Sequence, residues 1–169
     1  MDSIRKEYEK MGVDNFYKQN SNEYKNPHYN IIKTIIPEIK EYIGPHCLDL
    51  CCGGGEITMC LPGYDIKGLD PYTYDLYKKN TNKECYKYSF VDIVQGKLTE
   101  KFDTIICCFA LHLCEESMLP TLLWQLSTIS KKLIVISPHK RPDCNNISGW
   151  TLEKTVKKER VTAKIYSHT

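Results

Sequence analysis

Three consecutive glycines, Gly53-Gly54-Gly55, follow directly on the apolar run Cys47-Leu48-Asp49-Leu50-Cys51-Cys52 and precede Glu56. An apolar strand that turns through glycines into a helix is the opening unit of a strand–helix–strand fold. Glycine lets the backbone reverse sharply and lets a ligand approach with no Cβ in the way. Amides at a helix start favour anionic ligand groups, and ligands of parallel α/β sheets sit beyond the carboxyl ends of the strands. The turn alone names no ligand, because any tight strand-to-helix turn has a use for glycine.

The rest of the chain keeps the alternation. Strands are predicted over residues 47–51, 65–69, 85–92, 102–109 and 133–137, and short helices over 57–61 and 72–79. A longer helix over 116–129 carries Leu119, Leu122, Leu123 and Leu126 as its buried stripe. Before the first strand, Ile32, Ile35, Ile36, Ile39 and Ile43 follow helical spacing behind the cap signal Asn26-Pro27. Pro37 is expected to kink that helix and Gly44-Pro45 to end it. Residues 150–156 and 161–166 alternate around a polar turn, which is a hairpin signal. The pattern implies an α/β fold with a central, mostly parallel seven-stranded sheet, an antiparallel C-terminal hairpin and helices on both faces.

A length of 169 residues with 41% hydrophobic composition suits one domain, 1–169, and not two. Within it, 1–27 reads as an N-terminal lid or helix segment (with a short helix over 3–11), and 28–169 as the core. No apolar run approaches the roughly 20 residues of a membrane span, and the charged start Met1-Asp2-Ser3-Ile4-Arg5-Lys6-Glu7 has no signal-peptide core. A cytoplasmic protein with no membrane partner is expected. The net charge of +2 does not point to nucleic acid, although the basic run Lys154 to Arg160 fits either a solvated hairpin turn or an RNA contact. Nine cysteines occur with no Cys-x-x-Cys spacing, so buried free thiols are expected, with no disulfide framework and no metal site.

Asp70 closes the second strand, 21 residues on from Asp49. In nucleotide-binding sheets an acid at this place accepts hydrogen bonds from a ribose. The alternative is an Asp that only caps the following helix. The dinucleotide fingerprint is incomplete, since its third glycine position is Thr58. There is also little room for a second nucleotide-binding half, so a nicotinamide-type oxidoreductase ranks low and a mononucleoside cofactor suits the chain better.

Leu48-Asp49-Leu50-Cys51-Cys52-Gly53-Gly54-Gly55 resembles the first motif of class I S-adenosylmethionine-dependent methyltransferases, whose fold is Rossmann-like. Asp70, Phe90-Val91-Asp92-Ile93, the segment from Phe102 to Leu113 and Lys132-Leu133-Ile134-Val135-Ile136-Ser137-Pro138 follow in the family's order, over about residues 28–167. The resemblance implies an enzyme that binds S-adenosylmethionine and releases S-adenosylhomocysteine. It implies cofactor contacts from Asp49, Cys51, Gly53, Gly55, Asp70, Asp92, Ile93 and Phe109. Asp70 would take the ribose and Asp92 the adenine amine, and Asp70→Ala would weaken cofactor binding while leaving the fold intact.

Two departures stand out. Cys51 replaces the first motif glycine, and only residues 140–149 separate the fifth strand from the hairpin, where relatives carry a further helix. An open acceptor site is therefore expected, which suits a large substrate or closure by a homodimer or another protein. His112 and His139, beyond the fourth and fifth strands, are the catalytic candidates. Tyr17, Tyr24, His28, Lys140 and Arg141 are the substrate-side candidates, with Lys140 and Arg141 either holding an anionic acceptor group or forming a polar loop. Residues 24–28 act either as a lid or as a helix cap only. The acceptor stays open between a small molecule, RNA and protein. The Asn/Asp-Pro-Pro-aromatic run of enzymes that methylate exocyclic base amines is absent. The alternative is a methyltransferase-like subunit that is catalytically inactive and works through a partner.

Overall fold

The computed structural model describes residues 29–169. The expected helix over 3–11 and the Asn26-Pro27 cap lie outside them. Helix α1 (Tyr29–Ile39) tightens into a 3-10 turn at Lys40–Tyr42. Its stripe of Ile32, Ile35, Ile36 and Ile39 is buried, as the spacing demands. Pro37 is accommodated inside α1. Its missing amide removes one helical bond, and the α-helix gives way just beyond it.

The elements then alternate: β1 (His46–Leu50), α2 (Glu56–Met59), β2 (Asp65–Leu69), α3 (Tyr74–Thr81), β3 (Cys85–Tyr86), α4 (Phe90–Val94), β4 (Thr104–Cys108), α5 (Leu119–Ile129), β5 (Lys132–Ser137), β6 (Trp150–Lys158) and β7 (Val161–His168). A 3-10 turn, Leu111–Leu113, stands between β4 and α5. The seven strands form one sheet in the order β3-β2-β1-β4-β5-β7-β6. Pairs among β1 to β5 are parallel, and β7 runs antiparallel to both β5 and β6. The order reverses at β1, between β2 and β4, and a ligand crevice is expected beyond the carboxyl ends at such a point.

Period-two alternation divides the core into two layers. Leu48, Leu50, Ile105 and Leu133 pack under α4 and α5, with Leu122, Leu123 and Leu126 against them. Ile106, Ile134 and Ile136 face α1 and α2. Each such side chain, fully buried, contributes about 1.5–3 kcal/mol. All nine cysteines are free, and Cys47, Cys52, Cys107 and Cys144 are buried.

Two local outcomes differ from the sequence reading. The strand expected over 85–92 is only Cys85–Tyr86. Ser89 stops it by capping α4: its hydroxyl accepts the Asp92 N–H at 3.2 Å, and the Asp92 carboxylate accepts the Ser89 N–H at 2.9 Å. That reciprocal capping box satisfies two helix-start amides and favours a helix where β-prone residues suggested a strand. The helix expected from 116 begins at Leu119, with Pro120 in its first turn, where the ring's missing amide costs nothing.

No helix interrupts residues 138–149. Trp150, fully buried, donates its indole N–H to the Leu123 carbonyl at 2.8 Å. The Ser148 hydroxyl bonds the Pro120 carbonyl at 2.7 Å, and the Tyr166 hydroxyl accepts the Cys144 N–H at 3.3 Å. These bonds fasten the short connection to α5 and β7.

Candidate active site

The glycine turn and Asp70 meet. The Asp70 side chain is buried at 4% exposure, and its Oδ1 accepts the N–H groups of Tyr72 at 2.8 Å and Thr73 at 3.0 Å. Its Oδ2 takes one long bond, 3.4 Å, from the Gly53 N–H. A carboxylate offers about four lone-pair sites, so Oδ2 retains capacity for a ligand hydroxyl. Burial raises the Asp70 carboxyl above its usual range, and the three backbone donors oppose that rise.

Asp70 forms the polar end of a cleft of about 200 Å³, lined also by Cys51, Leu69, Pro71, Tyr72, Tyr88, Ser89, Phe90, Ala110 and Leu113. The apolar lining with a few polar groups is typical of small-molecule sites. Tyr88 and Ser89 were not singled out from the sequence, and Phe90 entered only as part of the Phe90–Ile93 motif. Their signal was position, immediately beyond the carboxyl end of a parallel strand.

Asp49 has a different place. It is 2% exposed and accepts a 2.8 Å hydrogen bond from the Thr58 hydroxyl, which also pairs with the Tyr77 hydroxyl at 2.9 Å. Thr58, the residue that breaks the dinucleotide fingerprint, therefore ties β1, α2 and α3 together beneath the turn. Burial drives the Asp49 carboxyl well above its usual value, with the bonds from Thr58 acting against it. Cys51 (φ 56°), Gly53 (φ 55°) and Gly55 (φ 90°) all take left-handed backbone. At Gly55 a Cβ would stand 2.5 Å from the Thr81 methyl carbon, so this glycine lets α2 approach α3.

Of the eight expected cofactor contacts, Cys51 and Asp70 line the cleft, whereas Asp49, Gly53, Gly55, Asp92, Ile93 and Phe109 do not. The Asp92 carboxylate makes a 2.8 Å ion pair with Lys97 and serves the capping box with Ser89, which lower it below its usual value. Ile93 is buried in the α4–α5 layer. Phe109, with left-handed φ of 58°, packs instead against the isoleucine layer on the opposite side of the sheet, and its N–H bonds the Ile136 carbonyl at 2.8 Å. The backbone turn there delivers Ala110 and Leu113 to the cleft.

His112 and His139 do come together. Their ring centroids are 4.6 Å apart with a 53° tilt. Both line a narrow pocket of about 10 Å³ at the ends of β5 and β7. His112 also borders a broad depression of about 600 Å³, lined too by Lys140 and Arg141. The 3-10 turn Leu111–Leu113 is thus a shared wall, with Leu113 on the cleft side and Leu111 and His112 on the other. Tyr17, Tyr24 and His28 lie outside the described residues. No helix among the described residues is long and apolar enough to cross a membrane.

This architecture recurs among solved proteins. The magnesium protoporphyrin IX methyltransferase of Synechocystis PCC 6803, crystallised with S-adenosylmethionine, aligns with a TM-score of 0.69 at 13% identity, over 99% of this chain and 96% of that one. The fold is that of the class I S-adenosylmethionine-dependent methyltransferases. A TehB-like methyltransferase from Corynebacterium glutamicum shares this methyltransferase fold over the whole of both chains, with a TM-score of 0.66 at 13% identity. In sequence, an uncharacterized protein of Schizosaccharomyces pombe is 27% identical over 197 aligned residues, spanning 88% of this chain and 79% of that one. No family model matches the sequence.

Proposed function

We propose that the protein is an S-adenosylmethionine-dependent methyltransferase whose acceptor sits beside the His112–His139 pair. The observation that carries this reading is the Gly53–Asp70 bond at the mouth of a nucleoside-sized cleft. Asp70 Oδ2 would accept from the ribose hydroxyls. Tyr88, Phe90, Ala110 and Leu113 would hold the adenine by apolar contact, and Cys51 and the turn after it would flank the methionyl part. The first-motif acid, Asp49, acts from below by fixing Thr58 and Tyr77. When bound, the cofactor supplies an electrophilic methyl group on a positively charged sulfur.

The chain's own task is alignment and exclusion of water. His112 orients the acceptor from the shared wall, and His139 packs against it at a tilt. A base is needed only for an acceptor protonated at working pH. The helix-free connection over residues 138–149 fits closure of the site by a second copy or a partner protein, and cytoplasmic residence fits the free thiols.

Differential scanning fluorimetry with S-adenosylhomocysteine tests the proposal. A ligand at about a hundred times its Kd stabilises by about 2.7 kcal/mol, so a clear rise in Tm is expected. An unchanged Tm at high micromolar ligand would favour the inactive-subunit reading, against which the unfilled cleft at present argues.

A further inference from the structure

We propose that Cys52 and Cys85 are an oxidative modification site, in which hydrogen peroxide closes a reversible disulfide that weakens cofactor binding at the glycine turn. The effect on the cofactor rests on the methyltransferase reading, whereas the disulfide itself does not. The two sulfurs lie 3.7 Å apart, although the cysteines are 33 residues apart in the chain. Cys52 belongs to the turn after β1 and Cys85 to the edge strand β3, with β2 between them. Gly68 of β2, which pairs with Cys85 in the parallel ladder, makes the room. A Cβ at Gly68 would stand 2.8 Å from the Cys52 sulfur, so a side chain there would displace that thiol.

The two thiols differ in access. Cys52 is buried at 4% exposure, whereas Cys85 is half-buried and meets the oxidant first. Its sulfur attacks the peroxide: an S–O bond forms, the O–O bond breaks, and the thiol proton leaves with the departing oxygen as water. The Cys52 sulfur then attacks the Cys85 sulfur. The S–S bond forms, the S–O bond breaks, and a second water carries away the Cys52 proton. One hydrogen peroxide and two thiols thus give one disulfide and two waters. Burial holds the Cys52 thiol well above its usual value, with the Cys85 thiol adding to the rise, which assigns it the second step and not the first.

One end of the bridge is fixed. On either side of Cys85 a carbonyl holds β3 to β2: Glu84 accepts the Gly68 N–H at 3.0 Å, and Tyr86 accepts the Asp70 N–H at 2.9 Å. Closing the sulfurs to the roughly 2.05 Å of a disulfide therefore draws on the turn after β1. Cys51, which lines the cofactor cleft, and Gly53, whose N–H meets Asp70, flank Cys52 in that turn and move with it. In a reducing compartment such bridges are transient, as suits a thiol sensor.

The test treats the full chain with hydrogen peroxide in slight excess, blocks the remaining thiols with iodoacetamide and maps bridges by tandem mass spectrometry. A peptide pair joined through Cys52 and Cys85, and released by dithiothreitol, is expected. S-adenosylhomocysteine is then titrated calorimetrically into reduced, oxidised and re-reduced protein. Oxidation should weaken binding about tenfold, the loss of one charge-assisted hydrogen bond, and re-reduction should restore it. Cys85→Ser should bind as the reduced wild type does and lose the response to peroxide. Oxidation that stops at a sulfenic acid, or that joins other cysteines such as Cys51 to Cys107, would overturn the site. A Cys52–Cys85 bridge with unchanged affinity overturns the control of binding. A bridge in protein that binds S-adenosylhomocysteine in neither state removes the methyltransferase reading and leaves the modification site, and binding without a bridge removes the modification site alone.

Discussion

The Gly53 amide points at the Asp70 carboxylate, with Oδ2 3.4 Å away. The two residues belong to turns after neighbouring parallel strands, β1 and β2. Their contact joins the glycine turn to the acid beside a single cleft, and Oδ1 meanwhile caps Tyr72 and Thr73. Asp70 is thus both a binding group and a brace for its own turn. Asp70→Asn, which keeps the shape and removes the charge, should lower S-adenosylhomocysteine affinity by about 1–3 kcal/mol. Asp70→Ala should lower affinity and also Tm, since three backbone donors lose their acceptor. The sequence alone suggested an unaffected fold. Calorimetric titration and thermal unfolding of both variants check this, and an Asn variant with wild-type affinity would remove Asp70 from the site.

Asp49 is a stability liability. Its folded-state carboxyl is raised above the ordinary 3.8, chiefly by burial. Below that value both folded and unfolded chains hold the proton. Above it the unfolded chain releases its proton first, so stability falls as pH rises towards the folded value. Asp49→Asn should unfold at a higher urea concentration than wild type at neutral pH, with the difference shrinking as pH falls to about 4. A variant less stable than wild type at neutral pH would show that Asp49 contributes more through Thr58 than its burial costs.

Gly55 cannot take a side chain without displacing α3. Gly55→Ala combines a φ of 90° with a 2.5 Å approach to the Thr81 methyl carbon, and should cost about 1–3 kcal/mol. Adding Thr81→Ser removes that methyl and should restore part of the loss, a coupling that a double-mutant cycle measures. Strictly additive losses would mean that backbone strain alone is responsible.

Trp150 stands in for the absent helix after β5. Trp150→Phe loses the bond to the Leu123 carbonyl and leaves a void, so about 1–3 kcal/mol of stability should go. Residues 138–149 should become the first site of limited proteolysis. Cleavage elsewhere first would show that the connection is held by other contacts.

Much of this was legible in the sequence because local chemistry and global fold agreed. The glycine turn after Leu50, the apolar β5, the leucine stripe of α5 and the alternation after Trp150 each carry their own period or turn signal. Where they disagreed, the capping box won: Ser89-x-x-Asp92 is a helix-start pattern set in β-prone residues, and it begins α4 where a strand was expected. Phe109 was placed by motif position, yet a left-handed φ, which no period reports, sends its ring to the other layer.

The most direct test of the central claim is isothermal titration of S-adenosylmethionine into the folded wild-type chain. Saturable heat at one site per chain is the expected result, with affinity lowered in Asp70→Asn. No heat at high micromolar cofactor, from protein shown to be folded, would contradict it.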